Sequence, residues 1–378
     1  MTRDLSHSLT QSGETARGGA LDLLRFAAAL LIVLYHFGVE APVSLADLHP
    51  VFERGYLATD FFLILSGFVL GRAYGGQVLS GRIGFLSFMR KRLTRIWPAQ
   101  LVVLAAMAAV VVAAGFVGQT PDHPEHFTSL GLLMQALMVQ AWGLPGGAGW
   151  NHPSWSLSAL VVCYAAFPLA WRWIGRLTSP VALLALGLTA VMVGDLVCLQ
   201  LFNHAIYDLN FSLGVVRAAP LFLLGVCIAR IIERGAPSEV MARVLSALAP
   251  LALVGLQLLG RLDLASIIVI AMIVLGLGRL PVRRPSRLIA LGAKLSFALF
   301  VTHALTGLVW FGGLSVLAGK LDLAPWTHWA LWAASLPAAL VVAGLFHHLV
   351  DAPVQDWLAR RRTRRPVGST SAVLTPAP

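Results

Sequence analysis

Long apolar runs, broken by short polar or arginine-bearing segments, set the pattern of this chain. A transmembrane helix needs about 20 mostly apolar residues. The pattern predicts spans at 20–38, 56–74, 98–118, 155–174, 181–201, 212–232, 242–260, 264–278, 288–312 and 326–350. The span at 264–278 is the shortest. The stretch 130–142 is apolar but short and is followed by Pro145 and several glycines. It reads as an interfacial or re-entrant piece of a long loop. The fold class expected is all-α, a polytopic membrane protein with about ten transmembrane helices. Residues 1–19 form a polar tail, 20–350 one membrane domain, and 351–378 a disordered tail with an arginine cluster. The first apolar run is too long for a signal-peptide core and ends without a small-residue cleavage site, so it is an uncleaved helix. No internal repeat stands out, which disfavours the inverted-repeat transporter folds.

Composition agrees with this. Of 378 residues, 58% are hydrophobic and only 12% charged, with a mean hydropathy of +0.79. Soluble chains carry about 25% charged residues, so a cytosolic enzyme, a disordered chain and a nucleic-acid module are all poor fits. The pI near 10.5 has another source. With the N-terminus inside, 24 of the 28 lysines and arginines fall on cytoplasmic segments or helix ends, 3 fall outside and Arg217 lies within a span. A bias that alternates loop by loop is the positive-inside pattern. It implies a lipid bilayer as partner, no nucleic acid, and both termini in the cytoplasm. Cys163, Cys198 and Cys227 lie in apolar runs with no metal-ligand spacing, as packing thiols do; no metal site is expected.

An ionisable side chain at bilayer depth is costly and marks a candidate site. Arg25, His36, Asp60, Asp195, Arg217 and His303 qualify. The topology puts His36, Asp60, Arg217 and His303 toward the outer leaflet. Each could equally serve as a helix–helix hydrogen bond. Arg25 and His36 are eleven residues apart, which on a helix places them within about 20° of one face and about 16 Å apart along the axis. A long ligand with an anionic head could bridge them. A second cluster, Arg90, Lys91, Arg92 and Arg95 before Trp97 and Pro98, suits topology anchoring, lipid headgroups or phosphates. Arg92 and Arg95 share a helix face.

Taken together, these segments resemble the acyltransferase-3 family of bacterial membrane acyltransferases from residue 20 to about 356. LDLLRFAAALLIVLYHFG is similar to its Arg-x10-His signature, at Arg25 and His36. GYLATDFFLILSGF matches a second motif through Asp60, Phe61, Phe62, Ser66, Gly67 and Phe68. FMRKRLTRIWP resembles its Arg-x-x-Arg-Ile-x-Pro, and PSWSLS, RAAPLFLLG and LSFALFVTH supply Trp155, Ser156, Arg217, Pro220, Gly225, Ser296 and His303. Two positions depart. Leu160 stands where the family usually has Glu, and Asp351-Ala352-Pro353 replaces its Glu-x-Pro.

The resemblance implies a multi-pass enzyme of the bacterial cytoplasmic (inner) membrane. It would move an acyl group, most often acetyl, from acyl-CoA to a hydroxyl of a glycan or lipid-linked sugar acceptor, with no permanently bound cofactor. His36 would act as general base oriented by Asp60. Arg25, Arg92 and Arg95 would hold the donor's phosphates, and Trp155, Ser156, Arg217 and His303 would position the acceptor or the oxyanion. The rivals are a transporter or flippase of a lipid-linked sugar or small metabolite, and a non-catalytic relative, motivated by Leu160. The charge pattern itself is testable. Reporter fusions at residues 122 and 282 should report opposite sides of the membrane, and the same side for both would overturn the topology.

Overall fold

The computed structural model describes residues 19–121, 123–146, 149–318 and 324–363. Of the two expected tails, residues 1–18 and 364–378 lie outside the described residues. The helices are α1 (Ala20–Gly38), α2 (Leu45–Leu48), α3 (Leu57–Leu79), α4 (Phe85–Phe116), α5 (Ser129–Leu137), α6 (Trp155–Ile174), α7 (Pro180–Phe202), α8 (Gly214–Glu233), α9 (Glu239–Leu259), α10 (Asp263–Arg279), α11 (Arg287–Ala318), α12 (Pro325–Phe346) and α13 (Ala352–Thr363). No strand occurs among the described residues.

Local chemistry starts several of these helices. Thr128, Ser179 and Ser238 cap α5, α7 and α9 by accepting from backbone N–H groups of the first turn, and Pro180 follows its cap at a position that needs no N–H. Pro98, Pro168, Pro220, Pro250 and Pro337 sit inside helices. They do not end them, because packed neighbours in a membrane bundle can re-satisfy the freed carbonyls. The sequence reading that began a span at Pro98 is therefore extended: α4 starts at Phe85 and carries the whole basic cluster on its first turns.

Nine segments among the described residues are long and apolar enough to cross a membrane. The shortest predicted span is α10, whose 17 residues make about 25 Å of helix. The stretch expected to be re-entrant or interfacial forms α5, nine residues long, ended by Met138 in a left-handed conformation at φ 57°; at about 13 Å it cannot cross a bilayer. The C-terminal segment differs from the disordered tail expected from residue 351. A π turn at His347–Asp351 leads into α13, which holds on to α4 where Gln355 Nε2 donates to the Thr94 carbonyl at 3.0 Å.

The bundle is organised around α8. It packs against α3, α6 and α7, while α1 lies on α11, α11 on α12, and α10 on α9 and α3. α7 and α9 leave Leu186, Met192, Val193, Leu251, Val254 and Leu258 exposed, an apolar surface suited to hydrocarbon rather than water. Two glycines let α3 and α8 touch backbone to backbone. A Cβ on Gly67 would overlap the Phe222 carbonyl, and one on Gly225 would overlap the Ile64 carbonyl. Small residues at such a crossing are the means by which membrane helices gain packing contact.

Gly225→Ala should therefore lower stability by about 1–3 kcal/mol, the usual range for overpacking. Gly312→Ala, where an added Cβ meets nothing within 4 Å, should not lower it, and by helix propensity should raise it by up to about 1 kcal/mol. Thermal unfolding of both purified variants in detergent checks the pair.

Candidate active site

The close α3–α8 crossing brings Asp60 to Arg217. Arg217 Nε donates to Asp60 Oδ1 at 2.8 Å and Nη2 to Oδ2 at 2.9 Å. Both side chains are buried, at 3% and 0% exposure. Such a two-pronged guanidinium–carboxylate contact matches both geometry and charge. Arg217 also reaches the carbonyls of Leu209 and Tyr56 and lies beside the rings of Tyr56 and Trp155, 5.7 and 5.5 Å from their centroids.

This separates two residues that sequence reasoning paired. Asp60 does not orient His36; its carboxylate is occupied by Arg217. The partner of His36 is His303, brought from α11 by the α1–α11 packing. His36 Nδ1 and His303 Nε2 are 2.9 Å apart, with the rings stacked. His303 Nδ1 lies 2.8 Å from the Phe300 carbonyl and 3.2 Å from that of Leu299. A carbonyl can only accept, so His303 Nδ1 carries the proton. With both rings neutral, His303 Nε2 is then an acceptor, and His36 Nδ1 must be the donor to it. The lone pair of His36 is left on Nε2.

A third imidazole, His152, meets His36 edge-on with ring centroids 4.6 Å apart. Sequence reasoning missed it, because the predicted span began at Trp155. The short turn His152–Ser154 just before α6 carries it to the same depth. Its signal was a histidine directly preceding the Pro-Ser-Trp-Ser-Leu-Ser segment. No group of three or more His, Cys, Asp or Glu among the described residues is placed to hold a metal ion.

Two adjoining cavities open here. The inner one, about 290 Å³, is lined by His36, His152, Trp155, Phe211, Arg217 and Phe300, among others. The outer one, about 520 Å³, shares Tyr35, Val39, Tyr56, Asn210 and Arg217 with it and continues to Asp47, Glu53, Tyr207 and Arg261. Trp155 thus lies on the wall of the inner cavity. Ser156 does not line either cavity; its Oγ donates to the Pro153 carbonyl at 3.3 Å. Arg261 is tied down at the rim by Asp208 and Asp263. Partial burial works against its charge, but hydrogen bonds to those carboxylates and to Tyr56 raise its pKa on balance. Leu160, the position where a carboxylate was expected, is buried in the apolar core.

The three arginines expected to bind a donor, Arg25, Arg92 and Arg95, each have a neighbour. Arg25 is 3.5 Å from Asp22. Arg92 Nη2 donates to Tyr164 Oη at 3.3 Å. Arg95 Nη1 donates to Asp351 Oδ1 at 2.7 Å and the guanidinium lies over Phe297. The Asp351 carboxylate, 3% exposed, is also 3.4 Å from His347 Nδ1. Asp351 thus has a definite task, which the sequence alone did not show.

Comparison with known proteins agrees in kind. The acyltransferase-3 family model, described as an acyltransferase domain, matches residues 19–348. "Acyltransferase MdmB" of Streptomyces mycarofaciens is 29% identical over 374 aligned residues, covering 90% of this chain and 92% of that protein. "Protein 2 in picA locus" of Rhizobium radiobacter is 33% identical over 187 residues, 46% of this chain and 91% of that protein. No solved structure matches.

The ion pair makes a thermodynamic prediction. Asp60→Leu or Arg217→Met alone strands a buried charge and should cost about 3–5 kcal/mol. The double variant removes both charges and should be more stable than either single one. A double-mutant cycle by thermal unfolding measures this coupling.

Proposed function

Because the chain belongs to the acyltransferase-3 family, and is a multi-pass membrane acyltransferase, we propose that it transfers an acyl group, acetyl foremost, from acyl-CoA to a hydroxyl of a cell-envelope or exported glycan. Its setting is the bacterial cytoplasmic membrane, with both termini inside. The observation that carries this reading is the lone pair left on His36 Nε2. His36 lines the inner cavity, and its Nδ1 is engaged by His303.

The chemistry follows. A hydroxyl is a weak nucleophile at neutral pH. As its oxygen attacks the thioester carbonyl, His36 Nε2 takes the hydroxyl proton. The imidazolium so formed still donates from Nδ1 to His303 Nε2, which holds the ring in place. Collapse of the tetrahedral intermediate breaks the carbon–sulfur bond, and His36 returns the proton to the departing CoA sulfur. General base catalysis of this kind contributes typically about 10²–10⁴-fold. His303 does for His36 what a carboxylate does in a triad, orienting the ring and choosing its tautomer, without adding a charge.

Geometry supports a division of labour between the two ends. Arg25 and His36 are on one face of α1, about 16 Å apart, comparable to the reach of an extended pantetheine arm. The nucleotide would stay near Arg25, Arg92 and Arg95, where burying its phosphates is avoided. The acceptor would enter through the outer cavity, past Tyr35, Tyr56 and Trp155. Aromatic walls with a few fixed polar groups suit a small ligand's apolar faces and hydroxyls.

His36→Ala should lower acetyl-CoA consumption, in the presence of envelope glycan, by at least about 10²-fold while the protein inserts normally. His303→Ala should lose less, since it orients the base rather than taking the proton. Thiol release from acetyl-CoA by purified variants, with mass spectrometry of surface glycans from cells with and without the gene, checks both. Full thiol release by His36→Ala would overturn the assignment.

A further inference from the structure

Two buried amides beside the histidines are only half used. Asn151 Nδ2 donates to the Val301 carbonyl at 3.1 Å and to Gln100 Oε1 at 2.9 Å. The carbonyl of Val301 can only accept, so the Asn151 atom facing it is the amide nitrogen. Gln100 must then present its oxygen to that nitrogen. This leaves Gln100 Nε2 and Asn151 Oδ1 without a hydrogen-bond partner, although the two side chains are only 0% and 1% exposed. Unmatched polar atoms at such depth are costly and point to a ligand group or function.

The surplus is one donor and one acceptor on linked side chains, the complement of a secondary amide. Its position fits one molecule. Gln100 lies eight residues beyond Arg92 on α4, about 12 Å deeper along the helix. Asn151 precedes His152, whose ring touches that of His36, and its partner Val301 is two residues before His303. The pair thus stands between the arginine end and the histidines. Neither residue lines the inner or the outer cavity, so the donor rather than the acceptor is the molecule it would meet.

We propose that Gln100 and Asn151 together bind an amide of the donor's pantetheine arm, Gln100 Nε2–H donating to its carbonyl and Asn151 Oδ1 accepting from its N–H. The pair sets how far the thioester advances toward His36. This rests on acyl-CoA being the donor.

Equilibrium binding separates the two ideas, without needing the acceptor. The probes are CoA and adenosine 3′,5′-bisphosphate, which lacks the arm, titrated against purified full-length protein. Gln100→Leu removes both polar atoms without adding a charge or a new donor. Gln100→Met keeps the shape without either polar atom. Both should bind CoA about tenfold more weakly, the loss of one buried hydrogen bond, and bind adenosine 3′,5′-bisphosphate as the native protein does. Arg92→Ala should weaken both probes. Unchanged CoA affinity in the two Gln100 variants, or equal weakening of both probes, would overturn the amide assignment while leaving acyl-CoA as donor. Failure of the native protein to bind CoA at all would remove the donor reading itself, and this inference with it.

Discussion

A charge within the hydrocarbon layer has to be matched inside the protein, and the Asp60–Arg217 pair does this at the centre of the bundle. Its short, doubled contact requires α3 and α8 to lie backbone against backbone. Gly67 and Gly225 allow that, since each faces a carbonyl of the other helix. Once placed, Arg217 reaches the Tyr56 and Leu209 carbonyls and flanks the rings of Tyr56 and Trp155. The wall that the inner and outer cavities share at Tyr56 and Arg217 is thus a consequence of the pair. A buried ion pair is weak evidence for stability in itself. Here its consequence is geometric, because it holds four chain segments around one guanidinium.

Neutrality governs the histidines in the same way. His36 and His303 meet deep in the protein, where a further carboxylate would need its own counter-charge. A histidine partner fixed by a backbone carbonyl sets the tautomer of His36 with no net charge. This accounts for how the chain can keep an oriented imidazole while Leu160 packs apolar core at a position where a carboxylate was expected.

Around Arg92 and Arg95 charge is handled differently. Arg92 is backed by Tyr164, and Arg95 by Phe297 and Asp351. Side chains held this way lose less rotamer freedom when they meet a ligand. The π turn at His347–Asp351 turns Asp351 to Arg95; such turns recur at functional sites. α13 continues from that contact, so the segment Ala352–Thr363 is helical and packed rather than a tail.

Much of this was legible in the linear chain. Helices in a bilayer must satisfy their own backbone and bury no stray charge, so twenty-residue apolar runs reveal the spans and the rare ionisable residues mark a candidate site. Arg25, His36, Asp60, Arg217 and His303 were singled out on that ground, and Arg92 and Arg95 as part of a basic cluster. Periodicity along α1 set Arg25 and His36 on one face. Pairing was another matter. Asp60 could have met His36 or Arg217, and only the crossing of α3 with α8 chose between them. The same is true of His152, of Asp351 with Arg95, and of the amides of Gln100 and Asn151. Hydropathy and spacing constrain each helix separately, because they report on contact with lipid. Which side chains meet is decided by how helices far apart in sequence pack, and no local pattern carries that information.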